Sequence, residues 1–182
     1  MKKIKILVYI TFFVGLANPT EAQNIKNLKD INNDVHYKFC QSFDSLDYKL
    51  MESIHSKKLI RVPADRKRIL NYEEYMEENK RSFEHAKENN NTLNIDLRLF
   101  ERLNNDSVAS ERGIYKFTVN KSQEDEQVYY GKFHVILIKE DNTWKILMDY
   151  DSNENNTIGE EDFNKAYEIN DLKKIKRLED SS

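Results

Sequence analysis

The sequence has few of the residues that interrupt or cross-link a fold. Its 182 residues include one cysteine, two prolines and four glycines. Because Cys40 is the only thiol, it cannot form an intrachain disulfide, and the fold depends on its own core. The apolar neighbours of Cys40 favour a buried structural thiol over a reactive one. No segment is rich in proline, glycine or serine, so we expect one domain with short appendages.

Basic stripes and cofactor motifs are missing as well. The formal net charge is −3, and no run of basic residues with interleaved aromatics is present, which disfavours nucleic-acid binding. The one dense basic cluster, residues 173–177, adjoins Glu179 and Asp180 and is expected to be a solvated helix end. Zinc-ligand spacing, phosphate-binding loops, dinucleotide fingerprints and nucleophile elbows are not found. The sequence therefore predicts no cofactor.

The N-terminus has the parts of a secretory signal. Three lysines lie among the first five residues, residues 6–16 are mostly apolar, and small residues offer cleavage sites after Ala17 or Ala22. The apolar part is shorter than the roughly 20 residues of a spanning helix, although a retained membrane anchor is the alternative. We expect residues 1–22 to be removed, and the mature chain to be periplasmic or secreted without membrane contact.

Apolar residues in the first half recur at steps of three and four, as in amphipathic helices. One apolar stripe runs from Ile25 to Phe39. Asp44 is the predicted N-cap of a second, shorter helix that extends to Ile54, with an acidic residue in its first turn.

A short strand and a third helix complete the first half. Residues 58–62 predict a strand that stops at Pro63. Asn71 and Glu74 form a capping-box pattern at the start of the third helix, which is expected to end at residues 89–91. The sequence thus predicts three N-terminal helices.

The second half alternates apolar and polar residues with period two, which is typical of strands. Helices followed by a meander of antiparallel strands form an α+β fold. We predict one domain over residues 23–155 and a C-terminal helical extension over 156–182, with a helix at Glu160–Tyr167. The predicted strands cover 93–99, 115–119, 129–138 and 144–150, and the turns between them lie at 103–106, 122–126 and 140–142.

Two segments resemble a known family. Val108–Tyr115 (VASERGIY) and Gly131–Asp149 (GKFHVILIKEDNTWKILMD) are similar to the nuclear transport factor 2-like superfamily, and more narrowly to its SnoaL-like and ketosteroid-isomerase-like branch. In that branch A-x-E-x-G-x-Y is followed by G-K-Y/F, a hairpin and W-K-I-x-x-D. The resemblance covers about residues 33–153. It implies a cone in which a curved antiparallel sheet wraps around the helices, a pocket between them, and a homodimer formed through the outer sheet face.

Two glycines support the curved sheet that the resemblance implies, and one residue departs from the family pattern. Gly113 and Gly131 lie within strand patterns, where glycine often marks a bend or bulge. Where the family usually has an aromatic residue, this chain has Asp151, so the family's ligand type does not carry over.

An enzyme of this branch would need a base that faces a polarising donor across the pocket. Glu111 and Tyr115 share the strand phase of Gly113, which we expect to point inward; the direction of Asp149 is open. A structural alternative pairs Glu111 with Arg98 or Arg112 on the sheet. The candidate groups are the carboxylates of Glu111, Asp149 and Asp151, the hydroxyls of Tyr48, Tyr75 and Tyr115, and the imidazole of His134. The predicted ligand contacts are Tyr115, Phe117, His134 and Trp144.

The segment that begins at Asp151 resembles a twelve-residue calcium loop. Its candidate ligands are Asp151, Asn153, Asn155, Thr157 and Asp162. The alternative, which we favour, is an Asn/Asp-rich turn before a helix.

Three functions follow from these patterns. The leading hypothesis is an exported domain that binds a small apolar molecule. An isomerase or dehydratase that uses a pocket carboxylate and a tyrosine is the first alternative. A homodimeric scaffold with a vestigial cavity is the second.

Overall fold

The computed structural model describes residues 25–172. In this part of the chain, helices pack against one curved, unclosed sheet, and the predicted α+β class is confirmed. The helices are α1 (Ile25–Ile31), α2 (Tyr37–Asp44), α3 (Tyr48–Ser53), α4 (Tyr72–Glu88) and α5 (Glu160–Lys165), with a π-helical turn at Asn32–His36 and a 3-10 turn at Ala64–Arg66. The strands are β1 (His55–Pro63), β2 (Leu93–Asn104), β3 (Val108–Val119), β4 (Gln127–Glu140), β5 (Thr143–Ser152) and β6 (Tyr167–Glu168).

The first helical segment is continuous but not uniform. The π-helical turn joins α1 directly to α2, because the residues at both of its ends keep helical backbone angles. Such turns are rare and often occur near functional sites. Its residues Asn32 and His36 are both buried, and both contact charged side chains of the sheet.

The second helix begins three residues later than predicted. Asp44 is the last residue of α2, and Leu46 then adopts a left-handed conformation with φ of 51°. Asp47 is the N-cap of α3, where its Oδ1 accepts from the backbone N–H groups of Lys49 and Leu50 at 2.9 and 3.1 Å. A left-handed residue cannot continue a helix, so the cap moves to the next suitable aspartate.

The capping of α4 is as predicted. Asn71 Oδ1 accepts from Glu74 N at 2.9 Å, and Glu74 Oε2 accepts from Asn71 N at 3.0 Å. The helix ends at the predicted asparagines, with Asn89 as C-cap and Asn90 left-handed at φ 56°.

The sheet has the spatial order β1-β5-β4-β3-β2-β6. Strands β2 to β5 form the predicted antiparallel meander. The expectation of an all-antiparallel sheet is wrong, since β1 pairs with β5 in parallel. The chain leaves β1, passes through α4 and three strands, and returns on β5, which is the long crossover that a parallel pair requires.

Two β-bulges change which side chains face the concave side of the sheet. In β2, Phe100 is the extra residue between the Leu99–Gly113 and Glu101–Arg112 pairs. In β5 the extra residue is Leu147, between Ile146 and Met148. A bulge shifts the side-chain alternation of its strand by one position.

The two strand glycines make room for aromatic rings. A Cβ on Gly113 would collide with the carbonyl oxygen of Arg98 and with the ring of Phe133. A Cβ on Gly131 would lie 2.5 Å from the hydroxyl of Tyr115. Gly113 also lies opposite the β2 bulge, in agreement with the prediction that this glycine marks a bend or bulge.

The C-terminal extension differs from the predicted helix. Helix α5 ends at Lys165 rather than Tyr167, because Ala166 is already extended with ψ of 158°. Tyr167 and Glu168 then pair with β2 as a short edge strand. The predicted signal at residues 1–22 and the basic cluster at 173–177 lie outside the described residues.

The core fills the space between the helices and the concave face of the sheet. Its largest fully buried apolar residues include Trp144 and Phe83. Cys40 is half-buried, and burial raises the pKa of its thiol to about 12, consistent with an unreactive role. No helix within residues 25–172 is long and apolar enough to cross a membrane.

Candidate functional site

A cavity of about 790 Å³ lies between the helices and the concave face of the sheet. One part of its wall is aromatic and aliphatic, and the part formed by β1, β5 and α4 is polar. The aromatic residues of the wall are Phe39, Phe43, Tyr75, Tyr115, Phe117, Tyr129, Tyr130 and Phe133. The charged residues of the wall are Arg61, Asp65, Arg66, Glu78, Asp149 and Asp151, and His36 also contributes to it.

The polar part of the wall centres on Arg61, Asp149 and Asp151, here called the Arg61 cluster. The parallel pairing of β1 with β5 places Arg61 beside Asp149. Arg61 Nη2 lies 2.6 Å from Asp151 Oδ1, and Arg61 Nε lies 3.4 Å from Asp149 Oδ2. One guanidinium group thus forms ion pairs with two carboxylates.

The β5 bulge explains why both aspartates face the cavity. Ile146 lines the cavity, and strict alternation would turn Asp149 to the other face. Because Leu147 is the extra residue, Asp149 and Asp151 join Ile146 on the concave side. The direction of Asp149, left open by the sequence, is therefore inward.

Two tyrosines complete the polar wall. The hydroxyl of Tyr115 donates to Asp151 Oδ2 at 3.4 Å. Burial raises the pKa of Tyr115, and the nearby Asp151 adds to the effect. Burial also raises the pKa of Asp151, with Arg61 opposing it only in part. The Arg61 guanidinium lies 5.1 Å from the ring centroid of Tyr75, within cation–π range.

Glu111 belongs to a separate group of buried side chains, here called the Glu111 network, which comprises Glu111, Arg102, His36 and Asn32. Glu111 Oε1 accepts from Arg102 Nε at 2.7 Å, and its Oε2 lies 2.5 Å from His36 Nε2. Arg102 Nη2 donates to Asn32 Oδ1 at 2.8 Å. Burial alone would raise the pKa of Glu111, but His36 and Arg102 together hold it below its usual range.

This geometry does not support the predicted catalytic role of Glu111. The side chains of Glu111 and Arg102 are fully buried, and Glu111 does not line the cavity. The sequence predicted that Glu111 would pair with Arg98 or Arg112, but its partners are Arg102 and His36. The β2 bulge turns Arg102 inward, directly opposite Glu111 in the strand register.

The predicted ligand contacts divide into two groups. Tyr115 and Phe117 line the cavity, whereas His134 and Trp144 do not. Phe133 faces the cavity, so its neighbour His134 points to the other face, where Nε2 lies 2.9 Å from Ser110 Oγ. Trp144 is fully buried in the core. Of the other candidate donors, Tyr75 lines the cavity and Tyr48 does not.

The candidate calcium ligands have separate partners. Asp151 faces Arg61, and Asp162 Oδ2 accepts from Gly159 N at the start of α5. Asn153 and Asn156 bond each other, while residues 154–156 form a left-handed turn. Within residues 25–172, no group of three or more His, Cys, Asp or Glu side chains could hold a metal ion.

Sequence reasoning missed Arg61 and the Arg102 partnership. Arg61 lies between Ile60 and Val62 in an apolar strand pattern, which is the one signal that could have marked it. Arg102 lies between the predicted strand at 93–99 and the predicted turn at 103–106, so the sequence pattern predicted no direction for its side chain.

The fold matches solved structures. A nuclear transport factor 2-like protein of unknown function from Shewanella oneidensis MR-1 is similar with a TM-score of 0.55 and 18% identity, over 69% of this chain and 98% of that chain. One from Pseudomonas putida KT2440, also of unknown function, has a TM-score of 0.57 and 10% identity, over 71% and 88%. A conserved protein from Planctomyces limnophilus DSM 3776 has a TM-score of 0.58 and 13% identity, over 70% and 95%.

No protein-family model and no curated protein sequence matches this chain. The structural likenesses show that the chain has the nuclear transport factor 2-like fold, as the sequence motifs predicted. The SnoaL-like and ketosteroid-isomerase-like branch remains a prediction.

Proposed function

We propose that this domain binds a small organic molecule in the cavity. The cavity volume of about 790 Å³ is the observation that carries the proposal. Ligand sites in proteins are typically about 300–1,000 Å³, mostly apolar, and contain a few convergent polar groups. An aromatic wall with the Arg61 cluster at one end has this composition.

The aromatic side chains surround the cavity instead of filling it. Phe43, for example, packs edge-on against Phe83 and Phe117, with centroids 5.3 and 5.8 Å away. Such contacts hold the rings against the walls. The scaffold alternative, in which side chains close the cavity, is therefore the weaker one.

Nile red, a neutral aromatic dye, tests whether the cavity is accessible. We expect saturable one-site binding, seen as fluorescence enhancement. Val119→Trp should abolish it, because Val119 is half-buried and lines the cavity. Val108→Trp is the matched control, since Val108 is 42% exposed and is not part of the wall. Equal binding by both variants, or no saturable binding by the unmodified protein, would overturn the proposal.

A second candidate function is acid–base catalysis at the Arg61 cluster. The contact between Tyr115 and Asp151 favours it, since it places a hydroxyl donor beside a carboxyl of raised pKa. In this candidate Asp149 is the base, and Tyr115 with Asp151 polarises the substrate. Deuterium exchange at the α-carbons of cyclohexanone, followed by NMR, tests it. If the unmodified protein and the Asp149→Asn variant exchange deuterium at the same rate, Asp149 is not the base.

Export and self-association complete the proposed function. The N-terminal signal pattern supports export to the periplasm or beyond, and the family resemblance supports a homodimer through the outer sheet face. Light scattering after size exclusion measures the mass of the chain that begins at residue 23. A mass twice that of one chain is expected, and a monomer at all concentrations would contradict it.

A further inference from the structure

The polar end of the cavity carries more negative than positive charge. Among the wall residues are four carboxylates and two guanidinium groups. Which of these charges offset one another decides what kind of ligand the cavity accepts.

One of the four carboxylates is matched by neighbouring arginines. Glu78 lies 2.9 Å from Arg68 Nη1 and 3.6 Å from Arg66 Nη1. These two arginines carry one positive charge more than Glu78, but both are largely exposed at the cavity mouth, where water and salt screen their charge. Arg66 therefore adds little net positive charge to the interior.

Two of the other three carboxylates share one cation, and the third has only neutral partners. Arg61 is the partner of both Asp149 and Asp151. Asp65 accepts from Ser152 Oγ at 3.0 Å and from Asn153 N at 2.7 Å, both neutral donors. With all three ionised, Asp65, Asp149, Asp151 and Arg61 together carry two negative charges in excess. An excess charge in a partly buried site is costly, and a bound cation would offset it.

The walls next to the Arg61 cluster are aromatic. Tyr75 and Tyr115 flank the Arg61 cluster. Phe133 is the register partner of Asp151, and Phe117 continues the aromatic wall. The faces of aromatic rings attract cations, and more so when water is excluded. A ligand with an apolar body would contact these rings while its charged end lies at the carboxylates.

We propose that the ligand of this cavity is an organic cation, an amine attached to an aromatic or aliphatic body. This inference rests on the proposed function and specifies its ligand class. Arg61 does not favour an anion, because its charge is already offset by two carboxylates and a third lies nearby.

Three indoles of similar size and different charge test the inference. Tryptamine is cationic at pH 7, 3-methylindole is neutral and indole-3-acetate is anionic. Each is titrated against the Nile red complex of the unmodified protein. We expect tryptamine to displace the dye at about tenfold lower concentration than 3-methylindole, with indole-3-acetate the weakest. Tenfold corresponds to about 1.4 kcal/mol, in the range of one charge-assisted contact.

A pair of variants localises the effect. Asp151→Asn removes one cavity carboxylate, and we expect the tryptamine preference over 3-methylindole to fall to about twofold. Glu101→Gln makes the same change of protein charge at a surface residue paired with Arg112, away from the cavity, and should leave the preference unchanged.

The outcomes separate the two proposals. Absence of Nile red binding would overturn the proposed function and this inference together. Dye binding with equal displacement by all three indoles, with preference for indole-3-acetate, or with no displacement, would overturn the cation inference alone. An unchanged preference in Asp151→Asn would also overturn it.

Discussion

The Glu111 network and the Arg61 cluster are both carboxylate–arginine groups on the concave side of one sheet, yet they differ in access. Glu111 and Arg102 have no exposed side-chain surface, whereas the side chains of Arg61, Asp149 and Asp151 are 11%, 10% and 23% exposed. In the first group, Glu111 and Arg102 bind internal partners, and only His36 of its members also lines the cavity. The second has one guanidinium for two carboxylates and faces a cavity. Access and unbalanced charge, rather than residue type, distinguish a candidate site from a structural ion network.

The largest effect should come from breaking the Glu111 network. Glu111→Gln keeps the shape of the side chain but leaves Arg102 buried without an ionised partner. We expect a loss of about 3–5 kcal/mol in the free energy of unfolding, measured by urea titration at pH 7. Asp151→Asn should change it by no more than about 1 kcal/mol, because Asp149 still pairs with Arg61 and one excess negative charge leaves a partly exposed site.

The double variant Arg102→Met, Glu111→Leu is the control for that prediction. It removes both charges, so it should be less destabilised than Glu111→Gln. Similar losses for Glu111→Gln and Asp151→Asn would contradict the distinction between the two groups.

A second prediction concerns pH and the interior behind the Arg61 cluster. His55 packs edge-on against Tyr75, and burial lowers its pKa to about 4 from 6.5. Between pH 4 and pH 6.5, the unfolded chain binds more protons at His55 than the folded protein does. The contribution of neutral His55 to the free energy of unfolding is therefore fully present above pH 6.5 and is lost as the pH falls toward 4. The full loss is about 3 kcal/mol.

The variant His55→Phe isolates this contribution. It retains a ring beside Tyr75 but does not titrate, so its free energy of unfolding should fall less between pH 7 and pH 4.5. Urea titrations across this range measure both proteins. Parallel pH profiles would show that His55 is not held neutral by burial.

A smaller loss than that of Glu111→Gln is expected from Gly131→Ala. The three atoms nearest to the new Cβ all belong to the side chain of Tyr115, which can move toward the cavity, so we expect a loss of about 1–2 kcal/mol. Gly113→Ala should cost more, since its Cβ would meet the backbone oxygen of Arg98 as well as Phe133. Thermal or urea unfolding compares the two; a larger loss for Gly131→Ala would contradict the packing described here.

Local signals in the sequence predicted much of the fold. The capping box of α4 and the period-two strands depend on neighbouring residues, and the structure confirms them. The parallel partner of β1 and the edge strand β6 depend on contacts between residues far apart in the chain. Periodicity contains no information about such contacts.

The candidate site was less predictable because two bulges decide it. The extra residues Phe100 and Leu147 change the direction of Arg102 and of Asp149. Strand alternation without the bulges predicts that Glu111 points inward, but it does not predict that Arg102 is its partner. The phase of Tyr115 and Phe117 is undisturbed, and both line the cavity as predicted.

A high-resolution crystal structure of the chain from residue 23, grown without added ligand, tests the central claim most directly. We predict a continuous cavity of several hundred Å³ bounded by Arg61, Asp149 and Asp151, with Glu111 enclosed by Arg102 and His36. Aromatic side chains rotated into that space, or Glu111 open to it, would contradict the claim.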